Sequence, residues 1–261
     1  MMHISVCPSP ESLGLHAALE TAEIIREAID KDGTARIILS TGASQFTTLD
    51  ALVKQPDIDW SKVEMFHLDE YVALPETHIA SFRKYLKERF VSKTNVGKAH
   101  FVDGTVECIR ELGKELDRAP IHVGLIGIGQ NAHIAFNDPP ADFETTDPYL
   151  IVNLDDTCKK QQVHEGWFAT VDDVPKQAVS MSVYRIMRCQ RIISSVPYAE
   201  KANAIFLTLT NTLTNMIPAT MLKTHEKFSL YVDTDSFSKI DVNRIVAADK
   251  EESFTLQVYN K

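Results

Sequence analysis

The chain has only four cysteines in 261 residues, Cys7, Cys108, Cys158 and Cys189, set far apart and without a CxxC pair. That spacing excludes a compact zinc site and reads as isolated, reduced thiols of the kind found in the cytosol. No apolar run approaches the roughly 20 residues needed to span a bilayer. The start of the chain, Met1 to Cys7 followed by Ser9-Pro10, lacks both a basic leader and an apolar signal core, so the expected location is the cytoplasm.

Positive charge is also in deficit, with 27 Lys+Arg against 36 Asp+Glu and a formal net charge of -9. The balance works against nonspecific binding to nucleic acid or an anionic membrane, and a phosphorylated ligand must find locally concentrated positive groups. Internal repeats, low-complexity tracts and Pro/Gly/Ser-rich linkers are absent. With 44% hydrophobic residues, the chain is expected to form a single α/β domain over 1–261.

What is present is an alternation of buried strands and amphipathic helices. Ile4 to Cys7 reads as a strand, and Ser9-Pro10-Glu11 opens a helix whose Leu15, Ala18, Leu19, Ala22, Ile25 and Ile29 recur at helical spacing. Ala35 to Leu39, Val63 to Leu68, Ile121 to Ile126 and Arg191 to Val196 are further strands, with helices expected after Ser44, over 81–90 and over 199–207. Leu230-Tyr231-Val232 reads as the last core strand. This pattern predicts a mainly parallel sheet with helices on both faces. Residues 138–175, polar and broken by prolines, read as an insertion or lid over the sheet edge.

In such a sheet the site lies beyond the carboxyl ends of the strands. Three segments fall there. Ser40-Thr41-Gly42-Ala43-Ser44 joins a strand to a helix start, where backbone N–H groups and hydroxyls favour an anion; it has neither the Walker nor the GxGxxG spacing. Asp69 and Glu70 close a hydrophobic strand, and neighbouring residues there point in different directions, so one carboxylate can enter a cleft while the other meets a structural partner. Gly127-Ile128-Gly129 leads to His133, which exchanges protons near neutral pH, with Asn131 and Asp138 placed to orient its ring.

The stretches DEYVALP and GIGQNAHIAFNDP resemble the two signature segments of the glucosamine-6-phosphate deaminase family, a relative of the 6-phosphogluconolactonases. The resemblance implies a Rossmann-like α/β fold, no metal and no cofactor, and conversion of glucosamine 6-phosphate to fructose 6-phosphate and ammonia. By the same resemblance Asp69 matches the proton-abstracting base and His133 the ring-opening imidazole. Thr41, Gly42, Ala43 and Ser44 match the phosphate loop, and Lys201 a lysine that pairs with the phosphate. Asn131 and Asp138 stand where the best-known deaminases have Asp and Glu. The family's mid-chain phosphate-binding Arg has no clear match near Lys159 and Lys160, which read as solvated lysines. The partner implied is a phosphorylated amino sugar, and the apolar pattern is compatible with a homo-oligomer without specifying one. A 6-phosphogluconolactonase-like hydrolase and a noncatalytic sugar-phosphate sensor are the alternative readings. Tyr71 and Ile134-Ala135-Phe136-Asn137 argue against the first, and Asn131 motivates the second. Trp167 and Phe168 either close over sugar or pack beneath the insertion, and His67 and His122 read as core or interface residues.

Overall fold

The computed structural model of the protein describes residues 2–164, 166–241 and 254–259. The chain opens with β1 (Met2–Cys7) and α1 (Pro10–Asp32). The Ser9 hydroxyl accepts from the N–H of Ser12, Pro10 occupies the first turn, and Gly33 ends the helix at φ 75°, where a side chain would be strained. Then follow β2 (Ala35–Leu39), α2 (Phe46–Leu52), β3 (Val63–His67), β4 (Asp69–Tyr71), α3 (Phe82–Arg89), β5 (Lys98–His100), α4 (Val106–Arg118) and β6 (Val123–Leu125). The second half contains β7 (Tyr149–Asn153), α5 (Asp156–His164), β8 (Gln177–Met181), α6 (Val183–Ile186), β9 (Arg191–Val196), α7 (Ala202–Thr210), β10 (Phe228–Asp233) and β11 (Phe254–Val258).

Eight strands form one sheet in the order β11-β1-β10-β9-β6-β2-β3-β5, and every pairing within it is parallel. Parallel strands covered on both faces need apolar side chains on both, and all five residues of β2 are buried. One apolar cluster joins α1 and α2 to Ile37, Leu39 and Met65. The opposite cluster joins α4 and α7, through Leu112, Leu116, Ala204 and Ile205, to Ile38, Phe66 and Ile192. The expected Rossmann-like α/β class, with helices on both faces of a mainly parallel sheet, is therefore what the chain forms.

The segment 138–175 is more ordered than its composition suggests. It contains β7 and α5, and β7 pairs with β8, which pairs with β4, in a second, antiparallel sheet of order β4-β8-β7. His67 and His122 are buried, as expected of core residues; Nδ1 of His122 accepts from the Arg36 N–H at 2.8 Å. Arg36 is itself fully buried, pairing with Glu64 and donating to the carbonyls of Ala119 and Glu115.

The direction of chain travel across the sheet reverses between β2 and β6. From β2 successive strands step outward to β3 and β5, and from β6 they step the other way to β9 and β10. The crevice at such a reversal, beyond the carboxyl ends of the strands, is where open α/β sheets place their ligands. No helix among the described residues is long and apolar enough to cross a membrane.

Candidate active site

A cavity of about 560 Å³ opens at this reversal. Its wall is built from the turns after β2, β3, β6 and β9, and Thr41, Gly42, Ala43, Ser44, Asp69, His133 and Lys201 all line it. Its size is that of a pocket for one small metabolite.

The turn after β2 is fixed from three sides. Gly42 adopts φ 100°, which favours glycine, and starts the short 3-10 helix Ala43–Gln45 that runs into α2. The Tyr85 hydroxyl donates to the Gly42 carbonyl at 3.2 Å. The buried Gln45 amide donates to Ser44 Oγ and to the Ser195 carbonyl on β9, each at 3.1 Å. Lys201 reaches the same cavity from the 3-10 helix Ala199–Lys201. The preceding Tyr198 is held at φ 81° while its N–H donates to Asp233 Oδ2 at 2.9 Å. Lys201 is the only lysine or arginine among the described residues of the lining. Lys159 and Lys160 are not part of it, in line with their reading as solvated lysines, and Lys160 is exposed.

Asp69 and Glu70 diverge as strand geometry requires. Glu70 is fully buried and has no role in the cavity. It accepts from the N–H groups of Tyr71, Phe82 and Arg83 and from Ser81 Oγ, and pairs with Arg83 Nε at 3.2 Å. This carboxylate anchors the start of α3 to β4. Removing one member of a buried, hydrogen-bonded ion pair costs about 3–5 kcal/mol, so Glu70→Ala is expected to lower the urea midpoint by a corresponding amount. Unchanged stability would show that the network contributes nothing.

Asp69, only 6% exposed, lines the cavity. Burial, with the Glu70 charge adding to it, pushes its carboxyl up to about 8. A carboxylate that ionises near neutral pH is a strong proton acceptor for its type.

His133 stands across from it on the turn after β6. Its Nδ1 lies 2.9 Å from Asp138 Oδ1, which leaves Nε2 for the cavity. Burial alone would raise the Asp138 carboxyl, but the contacts from His133 and Asn131 outweigh it and hold the group below its ordinary range. Asn131 does not meet the imidazole. Its Oδ1 accepts from the His133 backbone N–H at 3.1 Å, and its Nδ2 donates to Asp138 Oδ1 at 3.0 Å. The left-handed Ala132, φ 64°, reverses the chain between them and swings the ring toward Asp138 instead. Neither Asn131 nor Asp138 lines the cavity, so both bear on chemistry through His133.

The imidazole packs directly on Gly129. A Cβ placed there would lie 2.2 Å from His133 Nε2 and 2.3 Å from Cε1. Gly129→Ala must displace the ring, and misplacement by about 1 Å costs on the order of 10²-fold in rate. The expected result is a loss of that order in kcat with the fold retained by circular dichroism, and a variant with undiminished kcat would contradict this placement.

Sequence reasoning missed Tyr85, Tyr198, Gln130 and Gln162, which also line the cavity. Gln130 sits within the Gly127–His133 turn and Tyr198 in the turn after β9, both strand-end positions, whereas Tyr85 and Gln162 reach the site from α3 and α5 by long-range packing. Of the two aromatics weighed for closure, Trp167 lines the cavity, whereas Phe168 is buried against Tyr71 and stacks on His78.

Comparison with known proteins matches residues 8–231 to the family described as glucosamine-6-phosphate isomerases/6-phosphogluconolactonase. A glucosamine-6-phosphate deaminase of Oenococcus oeni is 31% identical over 223 residues, covering 84% of this chain and 92% of that protein. One from Staphylococcus epidermidis is 32% identical over 237 residues, covering 87% and 96%. Among solved structures, a monomeric glucosamine-6-phosphate deaminase superposes with a TM-score of 0.80 at 24% identity, covering 91% of this chain and 99% of that one. A 6-phosphogluconolactonase from Trypanosoma brucei superposes with a TM-score of 0.73 at 17% identity, covering 92% and 99%, which is a likeness of fold. With more than four-fifths of its length matched, this chain belongs to the glucosamine-6-phosphate isomerase/6-phosphogluconolactonase family.

Proposed function

We propose that the protein converts glucosamine 6-phosphate to fructose 6-phosphate and ammonia. The observation that carries this reading is the convergence of a buried carboxylate, an imidazole and an anion-suited turn with one lysine on a single cavity. Relatives 30–32% identical to the chain include several glucosamine-6-phosphate deaminases.

The chemistry follows from the residue types. The phosphate rests on the Thr41–Ser44 turn and Lys201, which fixes the sugar with its C1–C2 end toward Asp69 and His133. His133 Nε2 takes the proton of the C1 hydroxyl and returns one to the ring oxygen as the C1–O5 bond breaks, giving the open-chain aldehyde. The Asp69 carboxylate removes the C2 proton, and the electron pair moves into a C1–C2 double bond as the carbonyl oxygen takes a proton from the substrate's own ammonium group. Asp69 then gives the C2 proton back at C1, which leaves an iminium at C2. Water adds there, and ammonia departs, leaving the ketone. Asp138 supports the imidazolium formed in the first step, and Asn131 sets the turn that presents it.

Residues 138–175 act in this reading as the lid, since Gln162, His164 and Trp167 of that segment line the cavity. The cytoplasm is the proposed location, where the four cysteines stay reduced.

A substrate panel tests the proposal. Glucosamine 6-phosphate should yield ammonia and fructose 6-phosphate in equal amounts, and 6-phosphogluconolactone should hydrolyse at the uncatalysed rate. Accelerated lactone hydrolysis without ammonia release from any amino-sugar phosphate would replace it with the lactonase reading.

A further inference from the structure

The two proposed catalytic groups lie on different elements 64 positions apart in sequence, roughly counted from Asp69 to His133, and their relative placement has to be set by something outside both. Residues 180–181 of β8 touch both. In the antiparallel pairing of β4 with β8, Ser180 is the register partner of Asp69, and the Met181 N–H donates to the Leu68 carbonyl at 2.9 Å. The same two residues hold the turn that carries His133. Ser180 Oγ accepts from the Phe136 N–H at 3.0 Å and from Asn137 Nδ2 at 3.1 Å, while lying 3.1 Å from the Met181 carbonyl. Asn137 Nδ2 also reaches the Met181 carbonyl at 2.9 Å and the Ile134 carbonyl at 2.8 Å.

The turn needs such a hold. Ala132 and Ala135 flank His133 closely and both take left-handed conformations, φ 64° and 51°, which L-residues with a Cβ adopt at a cost. Its own backbone–backbone bonds are few among the described residues, Gly129 N–H to the His133 carbonyl, Ala132 N–H to Gly129 and Asn137 N–H to Ile134, and Asn131 and Asn137 add side-chain bonds to them. Ser180 and Asn137 are 0% and 4% exposed, so no solvent replaces a bond lost there.

We infer that Ser180, acting with Asn137, is a positioning residue that locks the His133 turn to the strand carrying Asp69. Neither side chain lines the cavity, so the effect reaches the chemistry through His133. The role rests on the deaminase reading for its consequence in turnover, but not for its consequence at the imidazole.

The experiment compares wild type with Ser180→Ala, Ser180→Thr, Asn137→Ala and the double variant Ser180→Ala/Asn137→Ala. Concentrations are corrected to the folded fraction from urea unfolding. Ser180→Ala should lower kcat about 10- to 100-fold with KM and the affinity for inorganic phosphate unchanged. Ser180→Thr, which keeps the hydroxyl, should recover most of the loss. Asn137→Ala should reproduce the defect, and the double variant should fall little further than either single one, because the two side chains act as a unit. In parallel, the imidazole resonance of His133, assigned by its disappearance in His133→Gln, should shift or broaden in Ser180→Ala and Asn137→Ala while those of His122 and His225 stay in place. The resonance is read without turnover, so a wild type that releases no ammonia would sink the deaminase reading and still leave the positioning role decided. An unmoved His133 resonance in both single variants, or kcat losses that vanish on correction to folded protein, would overturn the inference.

Discussion

Asp69→Asn should slow ammonia release by about 10²–10⁴ and yet leave the protein more stable than the wild type at alkaline pH. The loss of rate follows from removing the proposed base, an effect of about 10²–10⁴ for general acid–base groups. The gain in stability follows from linkage. In the unfolded chain Asp69 ionises near 3.8, and in the folded protein only near 8. Between those values the folded form holds one proton that the unfolded form has released, so raising the pH favours unfolding, by at most about 1.4 kcal/mol per pH unit. This contribution is fully present below pH 3.8 and lost by the time pH has passed through 8. Asparagine has no such dependence. Urea unfolding of both proteins from pH 4 to pH 9 should therefore show a gap in favour of Asp69→Asn that opens with pH and levels off above about 8. A constant gap would mean that Asp69 is not held protonated by its surroundings. The same protonation should appear in wild-type kcat/KM as a limb that rises toward pH 8, because only the carboxylate accepts the C2 proton.

His133→Gln should lose about 10²–10⁴ in kcat at ordinary enzyme concentrations, and the residual rate has a diagnostic form. If the imidazole serves ring opening while Asp69 still deprotonates the open chain, the variant must wait for glucosamine 6-phosphate to open unaided in solution. The rate should then climb with enzyme concentration at first and reach a plateau set by the spontaneous opening. The wild type should stay linear over the same range. A variant that remains linear in enzyme and keeps its kcat would remove His133 from the mechanism.

Much of this site could be read from local pattern because strand–turn–helix punctuation is local. Leu39 followed by Ser40 to Ser44, and Ile126 followed by the Gly127–Gly129 turn, mark strand ends, and the sheet then brings those ends together at the β2/β6 reversal. The divergence of Asp69 and Glu70 follows from the two-residue period of a strand. What was not legible depends on contacts between distant segments. Ser180 sits in an unremarkable strand and matters only because β8 lies between β4 and the His133 turn. Tyr85 reaches Gly42 across 43 positions, and Gln45 reaches Ser195 across 150. Asn131 is expected at the imidazole from its spacing, yet its side chain bonds the His133 backbone N–H and Asp138 around a left-handed Ala132, and no propensity rule assigns that conformation to alanine. The order of residues 138–175 was hidden for a related reason. The alternation in Tyr149–Asn153 is short, and its partner strand lies beyond α5.

The most direct test of the account is coupled detection of ammonia and fructose 6-phosphate from glucosamine 6-phosphate by the wild type and Asp69→Asn side by side. The account predicts equal amounts of the two products from the wild type and a rate of both lower by about 10²–10⁴ from a folded Asp69→Asn. Undiminished release of both products by Asp69→Asn would contradict it.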